Sequence, residues 1–168
     1  AVPASTTVAR GDVVLRSAAA LELAEARATN AWRFTAANNA VVFCNVQFPN
    51  ETTTTVNVPT QTIYGRYYDQ VRSEPGGFDP GVKVELGVTP ELDGGGFANP
   101  ASSNAWTFKT ATFNVQSGND DEYEATLTLA TAGRYRTLYR VSFDDGLHYT
   151  YCGIGGNANN AGVVIVNP

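Results

Sequence analysis

Apolar and polar residues alternate at period two through most of this 168-residue chain, in short runs separated by turn-rich loops, which is the signature of half-buried strands. In residues 41–48, Val42, Cys44, Val46 and Phe48 share one face; residues 52–58 are β-branched and residues 61–68 aromatic-rich. Val82, Val84 and Leu86 alternate with Lys83 and Glu85. Residues 106–115 begin with Trp106 and Phe108 on one face and then change phase to Phe113 and Val115, which predicts a bulge. Tyr123, Ala125, Leu127 and Leu129 alternate with Glu122, Glu124, Thr126 and Thr128. The strongest strand carries Tyr135, Thr137, Tyr139, Val141 and Phe143 on one face and Arg134, Arg136, Leu138, Arg140 and Ser142 on the other. Residues 147–152 and 162–166 close the pattern.

Strands this short, broken by Gly, Pro and Asn, predict an all-β fold, an immunoglobulin-like antiparallel β-sandwich over residues 41–168. Residues 121–129 and 134–143 are expected to form a hairpin across residues 130–133, with Glu124 opposite Arg140 on the outward face. Ala132-Gly133-Arg134-Tyr135 reads as a tyrosine corner. Residues 69–81 and 89–105 form the longer loops. Residues 1–40 make an extra N-terminal segment: residues 17–29 have helix-forming composition, yet Leu21 and Leu23 stand two apart, as do Val13 and Leu15, which favours strands.

Composition narrows the setting. Charged residues are only 16% of the chain, below the rough quarter of an average soluble domain, and the net charge is -5 with no basic run, so nucleic acid is not an expected partner. No apolar stretch approaches the roughly 20 residues of a membrane span. A start at Ala1-Val2-Pro3 and the absence of Met fit a secreted chain after signal-peptide removal, with an extracellular or cell-surface location.

The motifs Phe43-Cys44-Asn45-Val46-Gln47-Phe48-Pro49, Ile63-Tyr64-Gly65-Arg66, Phe113-Asn114-Val115-Gln116-Ser117-Gly118-Asn119-Asp120-Asp121-Glu122-Tyr123 and Tyr139-Arg140-Val141-Ser142-Phe143-Asp144-Asp145-Gly146, followed by Tyr149-Thr150-Tyr151-Cys152, stand in order. Together, from about residue 42 to 168, they resemble Ig-like modules of large secreted and surface proteins of myxobacteria and related bacteria. The resemblance implies the sandwich fold and brings no catalytic residues. Such modules often read Asp-Gly-Gly and Cys-Asp where this chain has Asp144-Asp145-Gly146 and Cys152-Gly153.

Cys44 and Cys152 both fall on apolar faces, and in an oxidising compartment such a pair reads as a disulfide; two buried free thiols are the alternative. Trp106 reads as a core aromatic near that disulfide, and Trp32 as core or an exposed stacking platform. Asp120, Asp121, Asp144 and Asp145 lie in acidic turns that could take Ca2+ but lack the spacing of a calcium loop, so turn chemistry is the simpler reading and no metal or cofactor is expected. His148, the lone histidine, has no nucleophile tied to it by a motif, and no enzyme is expected.

The leading functional expectation is a non-catalytic extracellular structural or adhesive subunit that self-associates or binds other extracellular proteins. It would build a surface filament by donor-strand addition through Val8, Val13 and Leu15, and the alternative for the same segment is pairing in cis as the first strand of its own sandwich. The alternative is a carbohydrate-binding module that stacks glycans on Trp32, Tyr64, Tyr67 or Tyr68.

Overall fold

The period-two segments become ten strands in the computed structural model, which describes Val41 and residues 43–168. They are β1 (Phe43–Phe48), β2 (Glu51–Thr55), β3 (Ile63–Tyr68), β4 (Lys83–Pro90), β5 (Thr107–Thr110), β6 (Thr112–Ser117), β7 (Asp120–Ala125), β8 (Gly133–Ser142), β9 (Thr150–Cys152) and β10 (Gly162–Asn167). Val8, Val13, Leu15, Trp32 and Val42 lie outside the described residues.

One sheet has the order β1-β3-β7-β6 and the other β2-β10-β8-β4-β5, with β9 also on β8. All neighbours are antiparallel except β2 and β10. This arrangement matches the two sheets of an immunoglobulin domain, with β3 and β7 flanked by two edge strands and β8 at the centre of the second sheet. Alternation decides what faces inward: Val46, Ile63, Tyr67, Leu86, Tyr123, Tyr139 and Val164 are all buried. At the centre the Tyr139 ring lies over Gly65, where a Cβ would overlap it, and the Tyr139 hydroxyl donates to the Ile63 carbonyl at 2.6 Å. A glycine opposite a tyrosine lets the two sheets close on one large ring whose polar end is satisfied.

The expected hairpin between residues 121–129 and 134–143 does not form. β7 pairs with β3 and β6, while β8 pairs with β4, β9 and β10 in the other sheet. The chain between them crosses the end of the sandwich, bonded to the turn after β2 through Asn57 N–H to the Leu129 carbonyl and Thr60 N–H to the Leu127 carbonyl. The tyrosine corner pins this crossing, since the Tyr135 hydroxyl donates to the Thr131 carbonyl at 2.8 Å. Glu124 consequently lies opposite Tyr64, and Arg140 opposite Glu85, which it contacts at 2.6 Å.

The phase change after Phe108 marks a sheet switch: β5 belongs to one sheet and β6 to the other, with Ala111 buried at the crossing. A bulge does occur, but further on, between Phe113 and Val115. In β1 another bulge between Val46 and Phe48 turns Phe48 outward, where it is 59% exposed, although alternation had placed it with Cys44.

Candidate functional site

Cys44 on β1 and Cys152 on β9 form a disulfide, with 5.3 Å between their Cα atoms, that joins the two sheets. Both are buried, and the bridge spans 108 residues, a separation for which chain entropy favours the folded state by about 4 to 5 kcal/mol. It lies toward the side of the sandwich, whereas an antibody domain bridges the strands equivalent to β3 and β8.

Three of the expected stacking residues sit together on β3, but alternation separates them. Tyr64 and Tyr68 leave on the outer face of the four-stranded sheet, each half-buried. In register beside them on β1 stand the exposed Phe48 and Phe43, so two aromatic cross-strand pairs flank a polar middle. That middle is Arg66, 3.7 Å from Asp120 and 3.5 Å from Glu122, with Asn45 in register alongside. The Tyr68 hydroxyl donates to Glu74 at 2.7 Å. Tyr64 and Tyr68, four residues apart, are separated by about 14 Å along the strand at roughly 3.4 Å per residue.

Tyr67 takes the opposite direction and is fully buried, which removes it from any stacking surface. Its hydroxyl donates to Asp121 Oδ2 at 2.8 Å inside the sandwich. Burial pushes the Asp121 carboxyl above its ordinary range; the Tyr67 hydrogen bond works against this, and Asp79 and Asp120 add to the push. Burial likewise raises the Tyr67 and Tyr123 phenols.

Asp120 and Asp121 therefore point to opposite faces of β7 and cannot converge on one cation. In the other acidic turn, burial would raise the Asp144 carboxyl, but hydrogen bonds from the His148 ring at 2.6 Å, the His148 amide and Ser142 outweigh it and hold Asp144 at about 2. Asp145 is exposed and 3.6 Å from Lys83. Among the described residues, no three His, Cys, Asp or Glu side chains cluster as a metal site would require.

The residues that sequence reasoning missed lie on the outer face of the six-stranded sheet. The Arg140 guanidinium is held between two rings, 3.5 Å from the Phe108 centroid and 3.8 Å from that of Tyr149, while Glu85 binds its edge. Burial first, then the neighbouring Glu85, pushes the Tyr149 phenol up to about 12. The loop after β4 folds back over this face. Arg136 donates to the Gly95 carbonyl at 2.6 Å, Phe97 meets Trp106 edge-on, and the Trp106 indole donates to the Ala98 carbonyl at 2.7 Å. Trp106 is buried as expected, but against Gly87, Phe97 and Phe108 on the outer face of the sheet; Cys152 is on the inner one. One signal was available: Leu138 interrupts an outward row of Arg134, Arg136 and Arg140, and it is fully buried.

No protein-family model matches the chain, and no curated protein matches its sequence. Among solved structures, the CARDB domain of the PF1109 protein from Pyrococcus furiosus, solved in complex with di-metal ions, is similar over 74% of this chain and 90% of that one. Its TM-score is 0.34 and its identity 10%. A likeness this distant assigns neither family nor ligand. The site must be read from its own chemistry.

On that chemistry, the covered face of the six-stranded sheet is occupied by its own loop and its own ion pair. The bare face of the four-stranded sheet is the larger candidate for contact with something else, because Phe43 and Phe48 are held there in solvent.

Proposed function

We propose that this chain is a non-catalytic structural or adhesive module of a secreted or surface protein, and that it joins neighbouring copies by strand addition. One observation carries the reading: among the described residues, 43–167 supply both sheets of an immunoglobulin-like sandwich, including an edge strand at each side of each sheet. On this reading the β-branched residues 5–15 are available to pair with another copy, with Val13 and Leu15 alternating on one face and Val8 as a further apolar side chain. A head-to-tail contact of this kind does not close on itself and propagates as a filament. The disulfide is consistent with an oxidising, extracellular setting, and the resemblance of residues 42–168 to modules of large secreted proteins agrees with it.

The test is to delete residues 1–16 and follow mass by light scattering across a concentration series. The full chain is expected to grow with concentration and the truncated chain to stay monomeric. Equal masses for the two, or a full chain that stays monomeric at high concentration, would exclude the reading.

The bare aromatic face favours a second reading, a carbohydrate-binding module that stacks sugar rings on Tyr64 and Tyr68 with Arg66 and Glu122 bonding the hydroxyls. Tyr67 takes no part, being buried. Retardation in polysaccharide-loaded gels, abolished by Tyr64→Ala with Tyr68→Ala, would distinguish it from assembly.

A further inference from the structure

Among the described residues four strands end the two sheets, and an unpaired edge is a ready template for another chain unless something blunts it. Three of the four are blunted. β1 is covered along its outer side, where Val46 N–H donates to the Gly153 carbonyl at 3.0 Å and pairs with Ile154. β5 has only four residues and carries an inward-pointing charge: Lys109 stands in register with core-facing Leu86 and reaches across to the Thr126 carbonyl at 3.0 Å. β6 is broken by its bulge between Phe113 and Val115.

β2 carries none of these devices. It is a regular strand, Glu-Thr-Thr-Thr-Thr, in unbroken register with β10 and without proline or an inward charge. Its hydrogen-bonding directions follow from the residues at its ends. Asn50 accepts from Val163 N–H and Val56 donates to the Asn167 carbonyl, so the even-numbered residues face β10. The amides of Glu51, Thr53 and Thr55 must then point away from the sheet, since successive residues of a strand alternate their bonding side. Exposed apolar side chains, Phe48 and Val58, stand three residues beyond either end.

We infer that the outer edge of β2 accepts residues 5–15 of a second copy of this chain, an assignment that rests on the strand-addition reading and names its acceptor. Charge supports this occupant over a second sandwich body. Residues 5–15 carry Arg10 against Asp12 and are neutral, while residues 41–168 carry seven Lys and Arg against thirteen acids, so two bodies repel whereas the segment meets a body without that penalty. Reach is not limiting, because the 25 residues between Leu15 and Val41 can extend up to about 80 Å at roughly 3.3 Å each. The incoming strand bonds the three outward amides of β2, and its alternate apolar side chains meet Phe48 or Val58 at the ends.

The experiment compares the full chain with Thr53→Pro and Thr53→Lys by sedimentation velocity over a concentration series. Proline at 53 removes an outward amide and leaves the bonds to β10, a placement edge strands tolerate, whereas lysine is the charge that natural edges use. Self-association of both variants is expected to weaken about tenfold or more, with thermal midpoints near that of the parent. Should the proline variant not fold, the lysine variant decides, together with hydrogen exchange on the associated parent, where the amides of Glu51, Thr53 and Thr55 are expected to gain protection. Undiminished association of the folded variants, or no gain in protection, overturns β2 as the acceptor. If removal of residues 1–16 still abolishes association, strand addition stands and only the edge is wrong; if the full chain never associates, both fall.

Discussion

The two sheets of this sandwich treat their outer faces in opposite ways. On the six-stranded sheet the loop after β4 returns over Trp106 and is tied down by Arg136, while Arg140 lies between Phe108 and Tyr149. On the four-stranded sheet Phe43 and Phe48 stand exposed beside Tyr68 and Tyr64, and no described loop crosses them. Aromatic residues thus serve two purposes in one domain. Under a loop they extend the core; in the open they form a surface that is free to meet a partner.

Paired substitutions would break that contrast most sharply. Trp106→Ala removes a buried ring together with the indole bond to Ala98, and is expected to cost about 3 to 5 kcal/mol, as large-to-small changes of buried aromatics do. Tyr68→Ala on the bare face should cost about 1 kcal/mol or less, because it gives up one exposed hydrogen bond and little packing. Urea denaturation of the two variants compares them directly. Similar losses would mean that the bare face is packed as tightly as the covered one.

Next in size is the link between the sheets. Cys44→Ala is expected to lose about 2 to 5 kcal/mol, the range for a native disulfide in a secreted domain, with the loss read from urea midpoints without reductant. Parent protein measured with reductant should approach the variant. A parent that keeps its midpoint under full reduction would show that the sheets hold together without the bridge.

The smallest effect concerns two carboxylates, one behind the bare face and one in the turn after β8. Asp121 has a folded pKa raised above its unfolded value near 3.8, so its contribution is present below that value and is lost as pH rises through the folded one. Asp144 is held down to about 2, so its contribution is present above 3.8 and is lost as pH falls toward 2. Asp121→Asn should therefore flatten the fall in stability above pH 4, and Asp144→Asn the fall below it. Measuring unfolding midpoints from pH 2 to 7 checks both. A parent-like slope above pH 4 in Asp121→Asn would mean that the buried carboxyl keeps its ordinary ionisation.

The contrast between the faces was only partly legible in the sequence. Alternation on β3 already separates Tyr67 from Tyr64 and Tyr68, yet all three had been candidates for stacking, because composition shows an aromatic cluster before it shows which members turn inward. The buried Leu138 shows the reverse case. Its place in a row of arginines was visible, but the loop that returns over this face of the sheet is held by contacts such as Arg136 to Gly95, 41 residues apart, which no local pattern encodes.

Residue order by itself determined the strands, the inward face of most of them, the tyrosine corner at Tyr135 and the pairing of the only two cysteines, because each follows from period-two alternation or short-range chemistry. The tertiary structure alone decided which strand lies beside which. β7 and β8 follow one another closely and still belong to different sheets, and the chain from β5 to β6 changes sheet at Ala111 where the pattern showed only a shift of phase. Alternation records which side chains point to the interior and carries no information about the neighbour that supplies the hydrogen bonds. That neighbour is selected by long-range closure, here by the Tyr139 ring over Gly65, the Cys44–Cys152 bridge and the crossing pinned at Thr131.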